Sequence, residues 1–170
     1  MKFFMMICPV LGMLFSGCRS TFDMAAAVKD FDAERYCGVW YEIARLPNWF
    51  QSGMYHVSAE YTGTGDGRIR VVNQGLDASG QRRMVIGRAR KASTAGDGEL
   101  EVSFFKPFWN SYRVIYLNGD YTIAAVCGKS PDYLWILSRR KKLTRTELEE
   151  VISFLKQRGF AVEKLLYLGW

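Results

Sequence analysis

The chain has 170 residues, of which 49% are hydrophobic and 15% aromatic, so it is long enough for one domain and too apolar for a disordered chain. Its 23 Lys and Arg against 17 Asp and Glu give a net charge of +6, and because the basic residues are scattered we expect no nucleic-acid partner. A single histidine, His56, excludes most metal sites that need two histidines, and we expect neither a metal nor a cofactor.

Residues 1–17 are predicted to be a signal peptide. Lys2 precedes an apolar run, residues 3–15, that has the length of a signal-peptide core and is too short to span a bilayer as a helix. Residues 14–18 (LFSGC) resemble the lipobox of bacterial lipoproteins, with Phe15 where Leu is usual. This resemblance implies that Cys18 becomes the acylated first residue and anchors the protein in a membrane. The alternative is an ordinary secretory signal with Cys18 as a thiol.

The residue after the lipobox cysteine predicts the membrane. Arg19 stands there, and the absence of Asp resembles lipoproteins that are sent to the outer membrane. We therefore expect a lipid-anchored protein of the outer membrane that faces the periplasm. Residues 18–30 are predicted to be the lipidated tether, and residues 31–170 the folded domain.

Eight strands are predicted between turn signals. Polar and apolar residues alternate in several of them, as in residues 100–104 (LEVSF), which is typical of strands with one buried face. Eight such strands joined by short Gly-rich and Asp-rich turns favour an up-and-down barrel or a sandwich. The strands are predicted at roughly residues 39–46, 54–62, 68–75, 82–91, 99–105, 112–117, 121–127 and 133–138.

One helix is predicted after the eighth strand. Thr144 and Glu147 have the spacing of a capping box, and Gly159 is placed to end the helix. The helix has a single narrow apolar face, so we expect it to pack against the sheet rather than against a membrane or a partner. That face consists of Leu148, Val151, Ile152 and Leu155. A last short strand is predicted at residues 162–168.

Three motifs in a fixed order resemble the signatures of the lipocalins. Residues 38–40 (GVW) resemble the Gly-x-Trp that opens strand one, residues 118–121 (NGDY) resemble the Thr-Asp-Tyr turn before strand seven, and Ser138 with Arg139 resembles the end of strand eight. The resemblance extends from about residue 31 to residue 170. Within the family, the chain is similar to bacterial outer-membrane lipoproteins, whose relatives include the apolipoprotein D group.

The resemblance implies an all-β fold, an eight-stranded antiparallel up-and-down barrel with one helix packed outside. Trp40 is large enough to plug one end, and Arg139 arrives at the same end, where its guanidinium can lie over the indole and donate to carbonyls. We assign both a structural role, because the sequence offers no base that would make Arg139 catalytic. The residues expected to carry the signatures are Gly38, Trp40, Asp120, Tyr121 and Arg139.

The barrel is predicted to contain a tall, mainly apolar cavity. Small barrels can be filled by their own side chains, but the small residues Ala59, Gly87, Ala89 and Ala125, assigned to inward positions, argue against a filled lumen. Such a cavity suits one or two acyl chains, and the lipid-binding lipocalins imply the same ligands, fatty acids and lysophospholipids. The residues expected to contact the ligand are Phe50, Met54, Asn73, Phe104, Trp109, Tyr112, Tyr116 and Trp135.

Aromatic residues cluster in two loops at the open end of the predicted barrel. Such a rim can be a lid, a membrane contact or a homodimer patch; we favour a lid that also contacts the membrane, with the homodimer as the alternative. The apolar residues concerned are Trp49, Phe50, Met54, Phe105, Phe108 and Trp109. Arg45, Lys106 and Arg113 lie near the rim, where they can pair with a carboxylate or phosphate or remain solvated.

Three functions are compatible with this barrel: storage or transport of lipids in envelope maintenance, a non-catalytic envelope scaffold, and a lipid-ester hydrolase that uses Cys127 with His56. A hydrolase needs a nucleophile, a base, a third orienting group and an oxyanion hole, and no Gly-x-Ser-x-Gly or similar motif is present. We therefore expect a binding protein and no catalytic residue. A haem pocket with His56 as axial ligand lacks supporting spacing.

The cysteines of the mature domain are predicted to be free. Cys37 directly precedes the Gly-x-Trp motif at the closed end, whereas Cys127 lies six residues beyond Tyr121 along strand seven. At ~3.3 Å per residue and a tilt of ~40°, this places Cys127 roughly 15 Å further along the barrel axis. A disulfide permits Cα separations of at most about 7 Å. We expect Cys37 at the floor and Cys127 in or near the upper cavity.

Overall fold

A computed structural model describes residues 26–92 and 98–169. The chain forms a closed barrel in which each strand pairs antiparallel with its neighbours in sequence and the eighth strand pairs with the first. This confirms the predicted eight-stranded up-and-down barrel and excludes the sandwich. The strands are β1 Gly38–Arg45, β2 Tyr55–Gly63, β3 Ile69–Leu76, β4 Arg82–Lys91, β5 Glu99–Ser103, β6 Asn110–Leu117, β7 Ile123–Cys127 and β8 Leu134–Ser138.

The two ends of the barrel differ. We call the end where β1 begins the floor and the opposite end the mouth. Because neighbouring strands are antiparallel, the loops β1–β2, β3–β4, β5–β6 and β7–β8 lie at the mouth, and the other hairpins lie at the floor. The predicted signal peptide, residues 1–17, and Cys18 lie outside the described residues.

Within residues 26–92 and 98–169, two helices and two 3₁₀ turns accompany the barrel. They are α1 Ala33–Tyr36, the 3₁₀ turns Trp49–Gln51 and Val162–Lys164, and α2 Arg145–Gln157. The predicted capping box of α2 is confirmed, because the Thr144 hydroxyl accepts from the Glu147 amide and the Glu147 carboxylate accepts from the Thr144 amide. Within the described ranges, no helix is long and apolar enough to cross a bilayer.

The last predicted strand, at residues 162–168, is wrong. The segment begins with the 3₁₀ turn Val162–Lys164, and only Leu166 pairs with a strand, through a single bridge to Arg45. The turn lets Leu165 enter the apolar core beneath α2. Burial of this side chain therefore determines the local conformation, and the alternating pattern does not.

Two apolar cores lie on opposite sides of the barrel wall. The inner core fills the barrel near its floor, and the outer core lies between the wall and α2, which contributes Val151 and Leu155. All of β7 is buried because it is covered on both faces. Ala124 and Val126 belong to the inner core.

The inward assignment that the sequence analysis made for β7 is wrong. Ile123, Ala125 and Cys127 belong to the outer core beneath α2. Both faces of this strand are apolar, so choosing the more apolar face could not identify the inward one. Cys127 therefore does not line the upper cavity. The prediction that Cys37 and Cys127 are free thiols is confirmed.

Irregularities in β1 and β6 change which side chains face the lumen. The register of β1 against β8 shifts between Glu42 and Ala44, and that of β6 against β7 shifts between Val114 and Tyr116. A bulge reverses the inward and outward alternation beyond it. Ala44 and Tyr116, which regular alternation from Trp40 and Tyr112 would turn inward, consequently pack on the outer core.

A candidate ligand-binding lumen

The floor is closed by Trp40 and Arg139. The Arg139 guanidinium lies 4.0 Å from the centre of the Trp40 ring, which is the contact expected from the sequence. Arg139 also donates hydrogen bonds to the backbone carbonyls of five residues: Arg35, Tyr36, Cys37, Val39 and Tyr121. A planar cation that joins β8 to the start of β1 holds the floor shut.

Gly38 and Tyr121, both at the floor, have positive φ angles. Gly38 has φ +100°, and a Cβ there would lie 3.0 Å from Nη1 of Arg139, so no other residue fits without strain. Tyr121 has φ +57°, its hydroxyl accepts from the amide of Asp32 at 3.0 Å, and its ring lies under Arg35. Asp120 is exposed in the same hairpin.

Three tyrosines lie above the floor inside the barrel. The Tyr112 hydroxyl is 2.8 Å from that of Tyr36 and 2.9 Å from that of Tyr61. Burial raises the pKa of each phenol, for Tyr61 to about 12, so the phenols stay neutral at physiological pH. Since the Tyr112 hydroxyl is engaged by its two neighbours, its half-buried ring is the part that can face a ligand.

The small residues that suggested an empty lumen lie beside space that other side chains fill. A Cβ at Gly87 would lie 2.6 Å from the Phe104 ring, and a Cβ at Gly75 would lie 3.1 Å from the methyl group of Met54. Ala125 packs beneath α2. Glycine at positions 75 and 87 therefore makes room for neighbouring side chains. The lower half of the barrel is filled separately, by the inner core that includes Tyr36, Trp40 and Tyr61.

The upper half of the barrel remains accessible. Asn73, Val85, Phe104 and Trp135 face inward by the alternation of their strands, yet each is only partly buried, so part of each side chain remains accessible. The side-chain oxygen of Asn73 is buried and has no hydrogen-bond partner within the described part of the chain. An orphaned acceptor in an apolar cavity is a place for a ligand hydroxyl or ammonium group.

A buried polar network closes one side of the mouth. Arg45 pairs with Glu42 and donates to the carbonyls of Gln51 and Met54 at 2.7 and 3.0 Å. The side chain of Gln51 donates to Glu42 at 3.0 Å and accepts from the indole of Trp135 at 2.8 Å. The loop between β1 and β2 is thus tied to the inner wall.

The sequence analysis missed this network. Arg45, expected near the rim, is only 2% exposed and is paired inside the mouth. Burial raises the pKa of Glu42 although Arg45 opposes the shift. The available signal was Glu42 at an inward position three residues before an arginine, but the bulge that turns Arg45 inward has no sequence signature.

Phe50 covers the mouth from the same loop. Its ring centre lies 6.0 Å from that of Tyr133 and 6.3 Å from that of Trp135, while Trp49 beside it is 82% exposed. Phe50, Met54, Asn73, Phe104, Tyr112 and Trp135 are therefore brought together around the upper lumen.

Two residues predicted to contact the ligand lie elsewhere. Tyr116 donates to Glu150 of α2 at 2.9 Å and packs against Phe154, because the β6 bulge turns it outward. Trp109 stacks under Arg90 and Arg88, with guanidinium carbons 3.9 and 5.0 Å from its ring centre. These arginines project from the outer face of β4, so Trp109 lies outside the barrel.

The geometry does not support the hydrolase alternative. The Cys127 thiol donates to the carbonyls of Gly128 and Ser130, and burial raises its pKa to about 11. The nucleophilic thiolate is therefore scarce at neutral pH. His56 is exposed at the mouth end of β2. Within residues 26–92 and 98–169, no group of three or more His, Cys, Asp or Glu side chains could hold a metal ion.

Comparisons with known proteins agree with this geometry. The model of the family described as the lipocalin-like domain matches residues 31–168. Outer membrane lipoprotein Blc of Vibrio cholerae is 38% identical over 167 residues, which cover 97% of this chain and 96% of that protein. The Blc protein of Citrobacter freundii is 41% identical over 144 residues, or 83% of this chain and 80% of that protein.

A solved structure shares the fold. Insecticyanin from the tobacco hornworm Manduca sexta superposes with a TM-score of 0.73 over 86% of this chain and 84% of its own, at 24% sequence identity.

Proposed function

The chain belongs to the lipocalin family, and we propose that it is an outer-membrane lipoprotein that holds fatty acids or lysophospholipids in its barrel, for storage or transport of lipids in envelope maintenance. The names of the two Blc relatives support the outer-membrane location. Lipocalins are generally binding proteins, and we assign this chain no catalytic role. Cys18 is the proposed acylation site, and the domain is proposed to face the periplasm.

The proposed ligand class, acyl-chain lipids, is inferred from the accessible upper lumen above a filled floor. Val85, Phe104 and Trp135 offer apolar surface there, and each buried methylene of an acyl chain contributes ~0.8 kcal/mol before the entropy cost of binding. Because the tyrosine cluster fills the barrel below, the acyl chain extends from the Tyr112 ring to the mouth. The space proposed for the acyl chain is therefore shorter than the tall cavity expected from the sequence.

The polar end of the ligand is proposed to lie near the mouth. Asn73 supplies a buried oxygen that lacks a donor within the described residues. The Glu42 carboxylate and the two terminal nitrogens of Arg45 are engaged within the loop network, so the pair presents little net charge to a headgroup, although Nε of Arg45 has no hydrogen-bond partner within the described residues. This arrangement favours ligands whose headgroup carries hydroxyl or ammonium donors, such as lysophospholipids, over those with a bare carboxylate.

The exposed aromatic residues of the mouth are proposed to form a lid that also contacts the membrane. Trp49, Phe105 and Phe108 are all strongly exposed, and aromatic side chains favour the membrane interface. A homodimer that covers the same residues is the alternative.

The test is whether lipid copurifies with the full chain. Noncovalent lipid extracted after purification in a mild detergent is identified and counted by mass spectrometry, and near-stoichiometric fatty acid or lysophospholipid is expected. Asn73→Trp fills the upper lumen and should lower this lipid at least about tenfold. Gln74→Trp adds the same side chain on the outer face of β3 and serves as the matched control.

Two outcomes would contradict the proposal. Lipid-free wild-type protein that also fails to bind added lysophospholipid would favour the envelope scaffold. Equal lipid in the Asn73→Trp and Gln74→Trp variants would show that the ligand does not occupy the upper lumen.

A further inference from the structure

The barrel wall has a seam near the mouth between β4 and the end of β5. β4 pairs with β3 from Arg82 to Ala89, whereas its pairing with β5 begins only at Arg88. Because β5 ends at Ser103, the six residues 82–87 have no strand partner on that side. We use the name seam for this gap between residues 82–88 and residues 103–106.

A cavity of about 230 Å³ lies in the seam. Its lining combines apolar side chains with two basic ones and one hydroxyl. The residues that line it are Ile86, Gly87, Arg88, Ser103, Phe104 and Lys106. Arg88 and Ser103 are cross-strand partners and, by the strand alternation, both belong to the outer face of the wall. Ile86 and Lys106 are exposed, so most of the lining belongs to the outer side of the wall, while Gly87 and the inward Phe104 ring form its inner boundary.

The polar side chains of the seam lack hydrogen-bond and ion-pair partners within the described residues. Ser103 is only 3% exposed, and its hydroxyl has no hydrogen-bond partner in the described part of the chain. Within the same residues, neither Arg88 nor Lys106 forms an ion pair, whereas the next outward arginine on β4, Arg90, pairs with Glu101. A buried unpartnered hydroxyl beside two cations without counter-ions fits an anionic ligand with several acceptor oxygens.

Apolar side chains surround the seam on the outer surface. Met84 and Ile86 of β4 are 62% and 48% exposed, and Phe105 is 73% exposed. Arg88 is held over the Trp109 ring, which fixes its position beside this surface. A ligand with an anionic group and an attached apolar part fits this surface. The anionic group would contact the basic side chains, and the apolar part would cover the exposed hydrophobic side chains.

We propose that the seam binds a phosphate group on the outside of the barrel, and that its physiological source is the headgroup of an anionic phospholipid. Arg88, Lys106 and the Ser103 hydroxyl contact the phosphate oxygens, and the glycerol and upper acyl region lie over Met84, Ile86 and Phe105. This site is separate from the lumen and does not depend on which ligand the lumen holds.

The test follows backbone amide signals of the full chain by NMR in nonionic detergent micelles. The probes are inorganic phosphate, dihexanoyl phosphatidylglycerol and dihexanoyl phosphatidylcholine. The expected result is saturable shifts of the Gly87, Arg88 and Ser103 amides, with phosphatidylglycerol binding more tightly than phosphatidylcholine. Inorganic phosphate binding as tightly as phosphatidylglycerol would identify free phosphate as the source, whereas much weaker binding would identify the lipid headgroup.

Variants determine whether the named residues carry the binding. The double variant Arg88→Gln, Lys106→Gln should weaken phosphatidylglycerol binding at least about tenfold, and Ser103→Ala about threefold to tenfold. Lys142→Gln, Lys156→Gln removes the same charge from exposed positions elsewhere and should change little.

Three results would overturn the proposal. The first is the absence of seam shifts with every probe, and the second is equal weakening in the two double variants. The third is seam shifts that follow protein concentration and not phosphate, since these would make the seam an interface between copies of the chain.

Discussion

At the scale of single residues, a few side chains hold the two ends of the barrel. Arg139 closes the floor through Trp40 and backbone carbonyls, and Arg45 ties the β1–β2 loop to the mouth through Glu42 and Gln51. Both arginines satisfy groups on separate segments of the chain. Replacing either arginine should therefore lower the free energy of unfolding of the whole domain.

Replacement of Arg139 by Lys should lower the free energy of unfolding by about 2 kcal/mol or more. A lysine ammonium is a point donor and cannot serve five carbonyls while stacking on Trp40. The measurement is urea unfolding followed by tryptophan fluorescence. Arg140→Lys, at an exposed neighbouring position, should cost less than about 0.5 kcal/mol; equal losses would show that Arg139 is not specifically needed.

Glu42 should make stability depend on pH. Burial raises its folded pKa above the ordinary value of 4.5, so the folded state holds this proton more tightly than the unfolded state does. The free energy of unfolding of the wild type, relative to Glu42→Gln, should therefore be highest below pH 4.5 and decline as the pH rises through the folded pKa.

Denaturant unfolding of both proteins over a pH series measures this difference. Glu60→Gln, which removes an exposed carboxylate from β2, is the control. A relative stability of the wild type that increases with pH would mean that pairing with Arg45 outweighs the cost of burial.

At the scale of secondary structure elements, α2 determines which strands are buried on both faces. It covers β7 and β8, so that Ile123, Ala125 and Ile136 form the outer core with Val151 and Leu155. Its capping box begins the helix at Thr144. The helix therefore contributes a second core and does not merely lie on the surface.

Leu155→Ala should destabilise the protein by about 2–5 kcal/mol, because the side chain is fully buried between α2 and the wall and its removal leaves a cavity. Urea unfolding with circular dichroism at a helical and a strand wavelength measures the loss. Lys156→Ala, on the exposed side of the same turn, should change stability by less than about 0.5 kcal/mol. A loss for Leu155→Ala of that small size would mean that α2 adds little to the core.

At the scale of the whole molecule, a filled floor, an accessible mouth and the proposed anchor at Cys18 together describe a carrier held at a membrane. The floor is dense with hydrogen bonds and apolar contacts, whereas the mouth carries exposed aromatic residues. A densely packed floor and an accessible mouth are consistent with the proposed uptake and release of a lipid at the mouth.

Cys18→Ser should move the protein from the membrane fraction to the soluble fraction, because the two or three acyl chains proposed for Cys18 would provide the anchor. Cell fractionation and labelling with a palmitate analogue measure location and acylation. Cys37→Ser, which alters a thiol at the floor, should stay in the membrane fraction. A Cys18→Ser protein that still sediments with the outer membrane would show that the lipobox interpretation is wrong.

Much of the fold could be predicted because its signals are local. The capping box of α2, the strand patterns and the three ordered motifs act over a few residues each. Trp40 and Arg139 were recognisable because each residue type suits a barrel end. The candidate lumen was predicted less completely: Phe50, Met54, Asn73, Phe104, Tyr112 and Trp135 surround it, while Tyr116 and Trp109 do not.

The number of strands, the capped helix and the residues that close the floor follow from short stretches of sequence, since alternation, capping and side-chain size are local properties, whereas the strand pattern alone left the barrel and the sandwich open. The bulges in β1 and β6, the inward face of β7 and the filling of the lower lumen arise from packing between distant segments. These three features depend on which side chains, far apart in the sequence, pack into the same space. Gly87 illustrates the difference: its small size suggested an empty barrel, but the space beside it is occupied by Phe104 from the neighbouring strand.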